Sequence, residues 1–206
     1  MSPHKPTTEG RLGVSAAMRQ VEMLLTRVAD IDSSLLITGE SGVGKEVAAR
    51  FVHQNSTRAN EPFIAVNCAA IPSELIESQL FGHEKGAFTS AQARHHGYVE
   101  RAGKGILFLD EVGELPFPMQ AKLLRLLQER AFTRVGGETA IKSGARIICA
   151  TNNNLEADVA EAPLPPGFIL PDQRDPYHHP PSPRPVGRHS PARAVLRARV
   201  LRDVCP

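Results

Sequence analysis

The stretch Gly39-Glu40-Ser41-Gly42-Val43-Gly44-Lys45-Glu46 constrains this chain more than any other. An apolar run, Leu35-Leu36-Ile37-Thr38, precedes it, and a helix-like run, Val47-Ala48-Ala49-Arg50-Phe51-Val52, follows it. Strand, glycine turn and helix in that order are the setting of a phosphate-binding loop. Glycine lacks the Cβ that would keep an anion away from successive backbone N–H groups. The helix opening near Lys45 adds its dipole and its unpaired N–H groups. Lys45 can reach the β- and γ-phosphates of ATP or GTP. A Gly-rich turn with an exposed lysine fits the same letters. Glu46 stands where the generic pattern has Ser or Thr, so the metal-binding hydroxyl is missing.

A second stretch, Gly105-Ile106-Leu107-Phe108-Leu109-Asp110-Glu111, is an apolar run ending in two carboxylates. It reads as a buried strand of a parallel sheet. The carboxyl end of such a strand is where an open α/β sheet binds ligands. Asp110 is placed to hold Mg²⁺, directly or through water, and Glu111 to polarise an attacking water. A strand ending in a solvated acidic turn is the plainer alternative, and the order after a glycine loop disfavours it.

Bulk properties bound the rest. A length of 206 residues suits one α/β domain with a small annex. A net charge of +2 argues neither for nor against nucleic acid. No apolar run reaches about 18 residues, so no membrane span is expected. Residues 1–10 are polar and lack the apolar centre of a signal peptide, and they are expected to be disordered. Cys68, Cys149 and Cys205 form no metal-type pair and no disulfide framework. The first two sit in or beside apolar runs and read as buried thiols, so a reducing, cytoplasmic setting is expected.

Taken in order, Ser15 caps a helix carrying Met18, Val21, Leu24, Leu25 and Val28. Pro62 to Asn67 reads as a strand that delivers Asn67 to the sheet's carboxyl edge. Ser73 and Glu74 open a helix with Leu75, Ile76 and Leu80. Residues 81–91 are non-periodic, and Phe88 gives them an apolar tip. Pro116 starts a helix bearing Met119, Leu123, Leu124, Leu126 and Leu127. Phe132 to Ile141 reads as a hairpin about Gly136-Gly137. Arg146 to Thr151 is a further buried strand, followed by Asn152-Asn153-Asn154. Strands alternating with helices predict an α/β fold with helices on both faces of a parallel sheet.

Gly39 to Glu46, Phe81 to Ala91, Gly105 to Glu111 and Arg146 to Leu155 together resemble the central AAA+ domain of sigma-54-dependent transcriptional activators (bacterial enhancer-binding proteins). The resemblance runs from about Leu12 to Glu161. That family also carries Glu after the lysine, so Glu46 strengthens the match. The resemblance implies an AAA+ P-loop NTPase that uses ATP and Mg²⁺. It implies a homo-oligomeric ring, usually a hexamer, that remodels the closed complex of the sigma-54 RNA polymerase holoenzyme. The family's GAFTGA loop contacts sigma-54. Here it reads Gly86-Ala87-Phe88-Thr89-Ser90-Ala91, with Ser90 replacing a glycine. Asn67 matches the asparagine that restrains the catalytic glutamate, here Glu111, until the γ-phosphate is sensed. An Asn that ends a strand is the other reading. Asn152 to Asn154 lie at the sensor I position, and the choice among the three stays open.

The composition changes after Ala162: eleven of the 17 prolines fall between Pro163 and Pro206. Residues 163–206 read as a disordered Pro/Arg-rich tail, with a short helix allowed around Pro191 to Val204. Read one base on, the codons at Asp172–Gln173, Asp175–Pro176, Tyr177–His178, His178–His179 and His179–Pro180 each spell Ile or Thr. An out-of-frame tail from Pro163, replacing the family's arginine fingers and lid subdomain, is therefore expected. No DNA-binding helix-turn-helix is read in the chain. An ATP-binding remnant that does not hydrolyse, and a non-enzymatic sigma-54-binding decoy, are the alternatives to an active ATPase.

Overall fold

A computed structural model describes residues 16–152 and the strand at 197–201. Its elements in order are α1 (Ala16–Ala29), β1 (Ser34–Thr38), α2 (Lys45–Gln54), β2 (Phe63–Asn67), α3 (Ser73–Phe81), α4 (Tyr98–Arg101), β3 (Ile106–Asp110), α5 (Phe117–Glu129), β4 (Ala131–Phe132), β5 (Ile141–Lys142), β6 (Arg146–Thr151) and β7 (Arg197–Leu201). The main sheet has the order β2-β3-β6-β1-β7. β2, β3, β6 and β1 are parallel, with Asn67 opposite Asp110, Leu109 opposite Cys149, and Thr38 opposite Thr151. β7 alone is antiparallel, placing Arg197 opposite Thr38 and Leu201 opposite Ser34.

Strand side chains alternate faces, and the apolar runs bury both. Leu35, Ile37, Ile106, Phe108 and Ile148 pack with Leu25 of α1 and Ala48, Ala49 and Val52 of α2. Leu36, Leu107, Leu109, Ile147 and Cys149 pack with Ile76 and Leu80 of α3 and Met119, Leu123 and Leu126 of α5. This is the expected α/β sandwich, with helices on both faces of the parallel sheet. Burial pushes the thiols of Cys68 and Cys149 up to about 12, so neither is a reactive thiolate.

Three expectations need correction. The amphipathic stripes are narrower than the sequence pattern: Leu24 and Leu75 are exposed, because only one flank of each helix meets the sheet. The hairpin forms, with Phe132 opposite Ile141, but its strands hold two residues each, and Val135 pairs elsewhere. The stretch allowed as a short helix within the 163–206 tail contains β7 instead. An open strand edge presents unpaired N–H and C=O groups, and pairing with β1 satisfies them whatever the helix propensity of the added segment. Residues 1–15, 153–196 and 202–206 lie outside the described residues. So do the expectations of a disordered N-terminus, of a disordered remainder of the tail and of a missing lid.

At the amino end of β6, Arg146 is 2% exposed. Its guanidinium donates to the carbonyls of Val28, Ala29 and Ser33. Burial lowers its pKa, with the Asp32 charge opposing that effect. The carbonyl oxygens and the negative end of the α1 dipole compensate the buried cation. Arg146→Met should remove the guanidinium donor from all three carbonyls, of which Val28 O keeps the Ile31 N–H at 3.2 Å, and cost about 3 kcal/mol. Urea unfolding followed by circular dichroism measures this; an unchanged midpoint would show that the cap carries no stability.

Candidate functional site: the carboxyl edge of the sheet

Thr38, Asn67, Asp110 and Thr151 end the four parallel strands on one edge. The Gly39–Lys45 turn crosses that edge. Gly39 N–H donates to Thr151 O at 3.2 Å, which fixes the start of the turn on β6. Gly42 and Gly44 have φ of +77° and +92°, values a side chain would strain. Nothing lies within 4 Å of where a Cβ on Gly42 would stand, so the backbone there is open to a ligand. α2 begins at Lys45 with no side chain capping its first turn. Its free N–H groups and dipole face the same space.

Lys45 is 4% exposed, so the exposed-lysine alternative does not describe it. Its Nζ donates to Gly39 O at 3.1 Å and to Glu111 Oε1 at 3.3 Å. Glu111 has φ 53° and ψ 50°, a left-handed backbone that costs a non-glycine residue about 1 kcal/mol or more. Its N–H donates to Asp110 Oδ1 at 3.0 Å, and its Oε2 accepts from Asn152 N–H at 3.3 Å. Burial raises the pKa of Asp110, with the Lys45 charge pulling it back down. Lys45, the adjacent pair Asp110 and Glu111, and Asn152 thus converge at one point from three distant parts of the chain.

A nucleotide's phosphates fit the open glycine turn, the uncapped helix start and the buried ammonium. Among the described residues no three His, Cys, Asp or Glu side chains form a cation site by themselves. A Mg²⁺ ion at Asp110 would therefore take its other ligands from phosphate and water.

Asn67 reaches the same edge with its side chain engaged locally. Its Oδ1 accepts from Ala69 N–H at 3.0 Å and caps a short 3₁₀ turn, Cys68–Ala70. The carboxylate of Glu111 is held by Lys45 and Asn152 in this structure. Of the sensor I candidates, Asn152 meets Glu111 through its backbone N–H; Asn153 and Asn154 lie outside the described residues.

The Phe88 loop is a separate surface. Gly86 N–H donates to Ala91 O at 2.8 Å, and Ala91 N–H to Phe88 O at 2.9 Å. Phe88 is 39% exposed, and its ring meets the His83 ring edge-on with centroids 4.8 Å apart. Ser90 is exposed and is not among the residues with positive φ. That position makes no special demand for glycine. Beneath the loop, Arg134 bonds Glu84 at 2.6 Å and Glu100 at 2.7 Å. Val135 exchanges backbone bonds with Gly82 and Glu84, which is why it leaves the hairpin. Each of Glu84, Glu100 and Arg134 reads singly as a solvated charge, so the sequence carried no signal for this knot.

An order of β2-β3-β6-β1 with a glycine turn after β1 and acids after β3 defines a P-loop nucleotide-binding domain of the AAA+ class. Residues 12–165 match the sigma-54 interaction domain. The chain belongs to that family, the central AAA+ domain of sigma-54-dependent activators. It is 56% identical over 147 residues to the regulatory protein AtoC of Escherichia coli K12, covering 71% of this chain and 32% of that protein. It is 53% identical over 148 residues to the DNA-binding transcriptional regulator NtrC of Rhizobium meliloti, covering 72% and 31%. The crystal structure of NtrX from Brucella abortus superposes with a TM-score of 0.67 at 45% identity, covering 74% of this chain and 34% of that one. NtrX in complex with ATP gives 0.65 at 45% identity. The chain thus spans about a third of the length of these relatives. Among the described residues no helix is long and apolar enough to cross a membrane.

Proposed function

We propose that this chain binds ATP with Mg²⁺ on the Gly39–Glu46 turn and couples its hydrolysis to remodelling of the sigma-54 RNA polymerase closed complex. The buried Lys45 ammonium at the start of α2, bonded to Gly39 O and paired to Glu111, carries this reading. The NtrX structure in complex with ATP, at 45% identity, supports it. Backbone N–H groups of Gly42, Val43 and Gly44 and the start of α2 bind phosphate oxygens. Lys45 neutralises the outer phosphates. Asp110 holds the metal ion, which when bound offsets phosphate charge. Glu111 orients and polarises the attacking water, and Asn67 and Asn152 adjust its position. Ring assembly in the cytoplasm, with the Phe88 loops turned toward sigma-54, belongs to the same reading.

The Phe88 loop tests the partner. Phe88→Ala deletes the one large apolar group that the 86–91 loop offers to solvent. Retention of immobilised sigma-54 should fall about tenfold or more, as for a central aromatic anchor, while ATP affinity stays at the parent value. Equal retention by parent and variant would remove this loop from the interface. ATP turnover at high protein concentration separates an active ATPase from a domain that only binds.

A further inference from the structure

We propose that His83 is the seat of Phe88: its ring, fixed by Ser78 and His95, holds the Phe88 ring in the pose that the 86–91 loop presents to its partner. The inference rests on the reading of that loop as the sigma-54 contact, and it adds a positioning residue outside the loop itself.

The stems of the loop are clamped together. His83 N–H donates to His95 O at 3.1 Å, and His95 N–H donates to His83 O at 2.9 Å. Residues that exchange both bonds stand directly opposite, with their side chains on one face. The two imidazoles accordingly stack, with centroids 5.4 Å apart. No side chain fits beside this bridge: a Cβ on Gly82, at φ +79°, would stand 2.3 Å from His95 O. Ser78 Oγ, on α3, shares a hydrogen bond of 2.7 Å with His83 Nδ1, which fixes the rotation of the ring. Ser78 is itself buried, so its hydroxyl has little water to turn to.

The loop backbone is closed by its own bonds. Ala87 N–H donates to Glu84 O at 3.2 Å, and a Cβ on Gly136 would come within 2.8 Å of the Ala87 Cβ, so Ala87 is held from both sides. That leaves the Phe88 side chain to be oriented. A phenylalanine on a surface turn has several staggered rotamers open to it. The His83 ring meets that of Phe88 at 4.8 Å with 61° between their planes, the T-shaped arrangement that aromatic pairs favour. One rotamer is thereby held while 39% of the residue stays open to a partner. An aromatic anchor already in its bound pose loses less freedom on docking, so the seat raises affinity without touching the partner.

The test is a double-mutant cycle read as the Kd for purified sigma-54, with the parent, His83→Asn, Phe88→Ala and the double variant. Asn keeps a hydrogen-bonding partner for Ser78 Oγ and removes the ring; His83→Leu, also ringless, serves if the Asn variant fails to fold. His83→Asn should weaken sigma-54 binding by about three- to tenfold, the range of one aromatic pair. It should cost nothing further once Phe88 is alanine, because the seat then has nothing to hold. His83→Phe restores a ring and should bind within about twofold of the parent. Equal loss from His83→Asn in both backgrounds overturns the seat, since His83 would then act independently of Phe88. A His83→Phe variant as weak as His83→Asn overturns it as well. Parent affinity in His83→Asn overturns the seat and leaves the Phe88 contact intact. Parent affinity in Phe88→Ala overturns both readings.

Discussion

Lys45→Ala should lower ATP affinity by about a hundredfold or more, a loss of about 2.7 kcal/mol. Two effects act in the same direction. The variant loses the only buried ammonium at the glycine turn among the described residues. It also leaves the Glu111 carboxylate, formerly paired at 3.3 Å, facing the phosphates without a counter-charge. Isothermal titration reads the loss, and urea unfolding checks that the fold persists. Affinity equal to that of the parent would mean that Gly39 to Glu46 is only a turn.

Glu111→Gln should cut phosphate release by about 10²–10⁴-fold, the usual range for losing a positioned general base. The amide keeps the size of the side chain and its bond from Asn152 N–H, so ATP remains bound and only the chemical step suffers. Phosphate release is measured at high protein concentration, with saturating ATP. A variant that turns over at the parent rate would remove Glu111 from the mechanism. A parent that binds ATP without turnover would assign the chain to a binding role instead.

The residues that meet at the carboxyl edge of the sheet were legible because their signals are local. Gly42, Gly44 and Lys45 lie within one short turn, and Asp110 and Glu111 close one apolar run. The two-sided sheet followed from the same runs, since a strand buried on both faces leaves no polar alternation. What escaped depends on partners distant in the chain. Arg134 reaches Glu84 and Glu100 from 50 and 34 positions away, and no periodicity reports that. Asn67 was visible as a strand end, whereas its bond to Ala69 N–H depends on a 3₁₀ turn without a period of its own. At Arg197–Leu201 helix propensity pointed the wrong way, because a free strand edge outweighs the few tenths of a kcal/mol per residue at stake.

β7 runs against four parallel strands and joins them through main-chain pairing with β1. A main-chain ladder is nearly indifferent to which side chains the incoming segment carries. For the history of such a gene, the four parallel strands behave as a cassette whose border accepts a substitute neighbour. Recombination or a change of reading frame beyond the codons of β6 leaves the glycine turn, its lysine and the acid pair encoded as before. The proposed phosphate recognition would then rest wholly on segments encoded ahead of that point.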